Sequence, residues 1–271
     1  VGNNFQFTNT SSISQGTATY TWYYGDGSFQ LSTNGSHGYA NAGTYSVKLV
    51  ATSNYGCVDS IRATVSVNIP PVAGFTTNLN AQCINGNQFF FTNTSTSPNS
   101  PMTYRWEFGD GSTSTQVNTS YQYSQHGIFP VKLVTTSQAG CKDSVIQNIT
   151  VHPKPVVAFT VNNNQQCQTG NFFQYTNNST IASGTMSHIW SFGDGVTSGL
   201  FSPSHSYLNA GSYPVKLIET SDMGCKDSLS INAKVDPSPT ALFTVNKAVD
   251  CFAEHQFIFN NSTSLSSGTF T

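Results

Sequence analysis

Three aspartates stand between glycines, Asp26, Asp110 and Asp194, each as Gly-Asp-Gly. A carboxylate on so open a backbone is a candidate calcium ligand. Calcium, however, takes about six to eight oxygens, usually from several carboxylates. The acids Glu107, Glu219 and Asp222 do not recur with the triplet, so no unit assembles a ligand set. The same spelling suits a tight turn, in which glycine tolerates positive φ and aspartate bonds its own backbone. Structural turns are therefore expected at these aspartates, and no metal. The histidines, His37, His126, His152, His188, His205 and His255, are scattered, except that His37 and His205 lie in phase with Tyr121 between them. No nucleophile–base pair, HExxH, GxSxG or phosphate-binding loop occurs, so no catalytic residue and no cofactor is expected.

The cysteines carry more information. Cys57, Cys141 and Cys225 are spaced by 84 residues, and so are Cys83, Cys167 and Cys251. A metal-binding or redox pair would be close in sequence, whereas these are singletons, so disulfides and an oxidising compartment are expected. Covalent modification is the remaining chemistry. Nine Asn-x-Ser/Thr sequons begin at Asn9, Asn34, Asn93, Asn118, Asn148, Asn177, Asn178, Asn260 and Asn261. The chain holds 36 Ser, 33 Thr and 26 Asn, 95 of its 271 residues, so chance alone supplies many of them. More pointed are Ser60, Ser144 and Ser228, each between an aspartate and an aliphatic residue and again in phase. Such a pair also suits the opening of a strand, where it bonds local backbone.

The element that positions all of these is a tandem repeat. Trp22, Trp106 and Trp190 keep the 84-residue interval of the triplets and the cysteines, with no insertion or deletion between copies. After three periods the last 19 residues match the first 19, so both ends fall inside a repeat and the chain reads as a window on a longer array. Within each unit apolar residues alternate with period two, as half-buried strands require. Tyr20, Trp22 and Tyr24 share one face, as do Tyr104, Trp106 and Phe108. YSVKLVATS, FPVKLVTTS and YPVKLIETS turn Tyr45, Val47 and Leu49 and their counterparts inward, with Lys48, Lys132 and Lys216 outward. A third strand carries Phe5/Phe7, Phe89/Phe91, Phe173/Tyr175 and Phe257/Phe259. No stretch sustains a helical period. About seven short strands per unit imply an all-β fold, a tandem array of immunoglobulin-like β-sandwiches. Pro71, Pro155 and Pro239 are in phase and set the boundaries: a repeat at 1–69 lacking its first strand, repeats at 70–153 and 154–237, and the start of another at 238–271. Linkers of a few residues leave neighbouring units little free play.

Composition agrees with this reading. Charged residues make up only 8% of the chain, against ~25% in an ordinary soluble domain. A net charge of −2 without a basic cluster excludes nucleic acid, whose binding needs phosphate neutralisation. No apolar run approaches the ~20 residues of a membrane-spanning helix. With 19 Phe, 12 Tyr and 3 Trp there is ample material for cores, so the chain is not disordered.

WYYGDGS, WEFGDGS and WSFGDGV, followed by GTYSVKL, GIFPVKL and GSYPVKL, resemble the polycystic-kidney-disease (PKD) domain, an immunoglobulin-like repeat. The resemblance covers essentially the whole chain and departs only at Tyr24, where Phe is usual. It implies an extracellular spacer, adhesion or scaffold module and not an enzyme. The C-x-x-G and G-C-x-D-S motifs are similar to those of arrays from the Bacteroidota, where Asp-Ser/Thr-aliphatic resembles an O-glycosylation acceptor. Three disulfide pairings respect the period: Cys83–Cys141 with Cys167–Cys225 within domains, Cys57–Cys83 with Cys141–Cys167 and Cys225–Cys251 across linkers, or Cys83–Cys225 between domains. In such a sandwich Cys83 precedes the second strand and Cys141 the last, at opposite poles. A strand spans ~20 Å, while a disulfide needs Cα atoms within ~7 Å. The within-domain bond would need a long loop over the sheet edge, and the linker bond joins far poles. Topology therefore favours Cys83–Cys225, with the within-domain bond as the alternative; Cys57, Cys141, Cys167 and Cys251 would then pair outside these residues. The expected function is a non-enzymatic structural protein of the cell surface or exterior, a rigid shaft or fibre. Its partners would be other copies of itself or adjoining repeats, with covalent glycans and without nucleic acid or a membrane span. The alternatives are an accessory carbohydrate- or protein-binding module of a secreted hydrolase, or a ligand-binding adhesin.

Overall fold

The structure is a computed structural model and describes residues 3–98, 101–250, 252 and 256–265. All regular secondary structure among these residues is β. The backbone resolves into two compact units, one of Val1–Asn78, Phe89–Tyr121 and Phe129–Asn148, the other of Leu79–Gln88, Gln122–Ile128 and Ile149–Thr271.

The first repeat, in the first unit, contains β1 (Phe5–Phe7), β2 (Ala18–Tyr23), β3 (Phe29–Leu31), β4 (Gly35–His37), β5 (Gly43–Ser53) and β6 (Val58–Val67). They form a ribbon, β1-β4, and a sheet in the order β3-β2-β5-β6. The middle repeat adds β7 (Phe75–Thr77), β8 (Ala81–Cys83), β9 (Phe89–Asn93), β10 (Met102–Glu107), β11 (Thr113–Ser114), β12 (Thr119–Tyr121), β13 (Gly127–Ser137) and β14 (Lys142–His152). In the first unit its strands β12-β9-β7 make one sheet and β11-β10-β13-β14 the other. The alternation read from the sequence decides which residues enter. Phe75, Phe91, Trp106 and Phe108 are at most 4% exposed, and Phe75 meets Trp106 edge-to-face at 5.1 Å.

In the second unit the end of β14 pairs with β8 in parallel, Thr150 to Ala81 and His152 to Cys83. The third repeat contains β15 (Phe159–Val161), β16 (Gln165–Cys167), β17 (Phe173–Asn177), β18 (Met186–Ser191), β19 (Thr197–Ser198), β20 (Ser204–His205), β21 (Gly211–Ser221) and β22 (Lys226–Asp236). Its sheets run β15-β17-β20 and β16-β22-β21-β18-β19. Its core gathers Phe159, Phe173, Tyr175, Trp190, Val215 and Leu217. β23 (Phe243–Val245) and β24 (Phe259–Asn261) close the chain as an antiparallel ribbon.

The middle and third repeats thus have eight strands each rather than about seven. The addition is β8 and its counterpart β16, spelled AQC and QQC. Three residues without a run of large apolar side chains are too short to show an alternation, and what places them is a parallel backbone ladder.

Candidate functional site

Each Gly-Asp-Gly triplet is a turn with both glycines left-handed. At the third repeat φ is +84° for Gly193 and +94° for Gly195. Asp194 accepts the backbone N–H of Val196 on Oδ1 at 3.1 Å, and Asp26 and Asp110 accept those of Ser28 and Ser112, both at 3.0 Å. The second carboxylate oxygen is taken from across the sandwich. His37 Nε2 donates to Asp26, Tyr121 OH to Asp110 and His205 Nε2 to Asp194, each at 2.7 Å. The donor ring lies flat on the residue before the turn: Tyr24, Phe108 and Phe192 are 4.2, 4.1 and 4.3 Å away, within 8° of parallel. The Ser28 hydroxyl, and then His37, hold the Asp26 carboxyl down at about 2 against the opposing effect of burial. Asp110 and Asp194 are lowered too; burial opposes the shift and is outweighed by Tyr121 and Ser112 in one, by His205 and the Val196 amide in the other.

Ser28, His37 and Asp26 together invite a hydrolytic reading, which the geometry refuses. Asp26 and the Ser28 hydroxyl approach the same ring atom, Nε2, at 2.7 and 3.3 Å. A relay needs the acid on one ring nitrogen and the nucleophile on the other. The serine becomes Val196 in the third repeat. Among the described residues no three of His, Cys, Asp and Glu gather as metal ligands.

A second clamp escaped the sequence reading. Asn87 donates Nδ2 to Tyr123 O (2.9 Å) and accepts Tyr123 N–H on Oδ1 (2.8 Å). Asn171 does the same with Tyr207 at 2.8 and 2.7 Å, and Asn3 with Tyr39 at 2.9 and 2.7 Å. Tyr39 and Tyr207 in turn donate their hydroxyls to Tyr24 O and Phe192 O, both at 2.8 Å. The signal was available, since Asn3, Asn87 and Asn171 are in phase and each follows a glycine.

Of the pairings open to the cysteines, the one present is Cys83–Cys225, with Cα atoms 5.5 Å apart. It joins β8 of the middle repeat to the β21–β22 hairpin of the third, inside the second unit. The β8 ladder pairs Cys83 with His152 at the end of β14. Cys57, Cys141 and Cys167 are free thiols, and Cys251 lies outside the described residues, as does His255. Ser60, Ser144 and Ser228 are exposed. Beside them Asp59 and Asp227 accept the Ser60 and Ser228 amides, while Asp143 accepts Ala73 N–H at 2.8 Å and Asp227 also pairs with Lys154 Nζ at 2.8 Å. The strand-opening role is thus filled by the aspartate, and the serine side chain points to solvent. The sequon asparagines Asn34, Asn118, Asn148, Asn178, Asn260 and Asn261 are exposed, and Asn9 and Asn93 are half-buried. Asn177 leaves the candidate acceptors: it is 5% exposed, and its Nδ2 donates to the buried Glu219 at 2.7 Å.

What recurs is therefore an immunoglobulin-like sandwich with a clamped Gly-Asp-Gly turn, repeated along one chain. The PKD-domain family matches it at residues 1–69, 68–151 and 152–236, and the chain belongs to that family. A segment of 57 residues is 46% identical to part of the pre-pro-metalloprotease PrtV of Vibrio cholerae, covering 21% of this chain and 6% of that protein. Among solved structures, the PKD1 domain of the same Vibrio cholerae metalloprotease is 32% identical, over 31% of this chain and 98% of that one, with a TM-score of 0.28. The PKD1 domain of Vibrio anguillarum Epp is 26% identical, over 31% of this chain and 96% of that one, also with a TM-score of 0.28. These relatives are Vibrio proteins. No helix among the described residues is long and apolar enough to cross a membrane.

Proposed function

We propose that the chain is a non-enzymatic, extracellular structural module, a serial spacer in which PKD domains are fastened to one another. The observation that carries this reading is the Cys83–Cys225 bond, which ties one repeat to the next and not a repeat to itself. A bond inside a domain would serve that domain's stability; a bond between domains resists their separation. It also implies an oxidising compartment outside the cytosol. The short Pro-containing linker at 153–155 and the Lys154–Asp227 pair at 2.8 Å act at the same place. The clamped turns fit the reading as well, since they spend their aspartates on structure and leave no carboxylate presented for chemistry. Ser60, Ser144 and Ser228, exposed and in phase, are proposed acceptors for O-linked glycan, which would keep a surface with 8% charged residues dispersed.

The test is small-angle scattering of single chains, wild type against Cys83→Ser/Cys225→Ser. A stiff shaft predicts that the double variant gives a broader distance distribution while its circular dichroism is unchanged. Indistinguishable profiles would sink the role of the bond in stiffness. A second reading, an accessory binding module of a secreted hydrolase, is favoured by the likeness of one segment to part of a pre-pro-metalloprotease. Retention of the isolated chain on insoluble chitin or cellulose, absent for a bovine albumin control, would move the balance to it.

A further inference from the structure

We propose that the outer face of the β3-β2-β5-β6 sheet binds an acidic polysaccharide, a sugar chain bearing uronate carboxylates, on the row Phe29, Tyr23, Lys48 and Arg62. Strand register sets these four side by side. Tyr23 pairs with Phe29 on one flank and with Lys48 on the other, and Lys48 pairs with Arg62. The two rings stand at the β3 edge with centroids 6.2 Å apart and planes 37° from one another. Tyr23 is 46% exposed and Phe29 63%. Adjacent strands lie ~4.8 Å apart, so the row from ring to guanidinium crosses about 14 Å of open sheet. The next row on the same face is Leu31, Thr21, Val50 and Ser60.

The later repeats carry the same row without this chemistry. In the third it reads Thr197, Ser191, Lys216 and Ser230. In the middle repeat it reads Thr113, Glu107 and Lys132, with Ile146 in phase with Arg62. None of these residues is buried, so the open face belongs to the fold of every unit and the side chains to the first alone. Lys132 has a partner, since its Nζ lies 3.9 Å from Glu107, which Arg105 also meets at 3.2 Å. In the first repeat Tyr23 stands in place of that glutamate. Among the described residues neither Lys48 nor Arg62 has an ion-pair partner. Asp59 alternates to the opposite face, opposite Ala51, and the Asp26 carboxylate is taken by Ser28 and His37.

Charge and shape together select the occupant. An exposed apolar patch with a polar rim marks a ligand surface. Aromatic faces take the C–H face of a pyranose, and unpaired cations beside them take a carboxylate at the edge of that sugar or the next. The Thr21 and Ser60 hydroxyls in the neighbouring row are within reach of sugar hydroxyls. Neutral chitin or cellulose would leave both cations without a counter-charge. An acidic peptide would answer the cations and leave the rings uncovered. Nucleic acid needs phosphates neutralised along its length, which two cations on a chain of net charge −2 do not supply. This goes beyond the spacer reading, because it gives one repeat a ligand of its own.

The experiment is equilibrium binding of the 271-residue chain to immobilised polygalacturonate. The chain is produced without glycan, because Ser60 borders the row. Expected is binding at ~0.1 M salt that is lost at ~1 M, where the Debye length falls from ~10 to ~3 Å. Tyr23→Ser with Phe29→Thr copies the third repeat and should weaken binding about tenfold, the effect of leaving two half-covered aromatic side chains out. Lys48→Gln with Arg62→Ser should remove most of the binding and its salt dependence, while Lys132→Gln should change nothing. Circular dichroism of the Tyr23/Phe29 variant should match wild type, since the same fold carries Ser191 and Thr197 at those places. Absence of binding at ~0.1 M salt, or binding that survives the Tyr23/Phe29 change, overturns the proposal. So does equal competition by polyglutamate, oligothymidylate or a neutral cellulose oligosaccharide. The scattering test of the shaft is indifferent to all of these outcomes.

Discussion

Alanine at Gly193 should cost far more than alanine at Gly195, although both lie in one turn and both have positive φ. Ala in the left-handed region costs about 1 kcal/mol, and both variants share that loss. At Gly195 an added Cβ meets nothing within 4 Å, so the backbone term is the whole effect. At Gly193 it would stand 2.7 Å from Pro214 Cδ and 2.9 Å from Pro214 N. Neither atom ends a flexible side chain, so β21 itself has to give, and it is paired on both sides, to β18 and β22. Forced overpacking of this kind adds about 1–3 kcal/mol. The expectation is a loss of about 1 kcal/mol for Gly195→Ala and about 3 kcal/mol for Gly193→Ala. In a domain of this size 1 kcal/mol moves the midpoint by about 4–8 °C, which makes the two variants separable by some ten degrees. Native-state hydrogen exchange of the β18 and β21 amides reads the third repeat without interference from the others. Equal losses, or a larger one at Gly195, would refute the assignment of close backbone approach as the reason for the first glycine. The pair Gly109 and Gly111 repeats the geometry, with Pro130 Cδ at 2.8 Å from the first and nothing near the second.

Acid should loosen the first repeat through Asp26. Its folded carboxyl titrates at about 2, below the ~3.9 of an unfolded aspartate. The stabilisation is therefore complete above about pH 4 and lost as pH falls from there towards 2. Exchange of β5 amides at pH 5 and pH 3 should show it, with Asp26→Asn flattening the difference. Asn171→Ala strips Tyr207 N–H and C=O of buried partners and should cost about 2–3 kcal/mol in urea unfolding of the third repeat; a cost under 0.5 kcal/mol would remove the clamp from the account. Cys83→Ser with Cys225→Ser should lower the urea midpoint by a loss of no more than about 5 kcal/mol, the loop-closure ceiling for a 142-residue separation, and reduction of the wild type should reproduce it.

The fold was legible because its signals are local and repeated. Period-two alternation around Trp22, Trp106 and Trp190 names the inward face directly, and an exact interval removes the ambiguity that a single short strand would carry. β8 and β16 were not legible, since parallel pairing to the end of the last strand involves no side-chain pattern. The turn was read at Asp26, Asp110 and Asp194, but only half of it. The spelling G-D-G reports the i+2 amide, whereas the second carboxylate oxygen is filled by a residue 11 positions on. His37, Tyr121 and His205 did keep the period; their roles stayed hidden because imidazole and phenol look unrelated as residue types. They are interchangeable here as flat rings that stack on position 24, 108 or 192 and donate one hydrogen bond. Asn3, Asn87 and Asn171 were lost among 26 asparagines, because other sets such as Asn9, Asn93 and Asn177 keep the same period and only the preceding glycine sets them apart.

The repeats also serve as a mutational series within one molecule, and the positions that vary say as much as those that persist. On β5, β13 and β21 the inward site two residues after the leucine is Ala51, Thr135 and Glu219 in turn. In the third repeat Glu219 is fully buried and is tolerated because Asn177 Nδ2 donates to it at 2.7 Å; the middle repeat has Asn93 at that site, half-buried, opposite a threonine. The asparagine is thus constant, as Asn9, Asn93 and Asn177, while the residue it faces varies, and the turn, the asparagine clamp and the cysteine places do not change either. Persistent chemistry in a tandem array is chemistry that every unit uses. In these units the persistent core aromatics and the asparagine clamps hold strands and turns, while the Asp-Ser serines persist at exposed positions. On the spacer reading such a protein would work at its junctions, and Cys83–Cys225, which joins two repeats, is the bond on which that reading is tested.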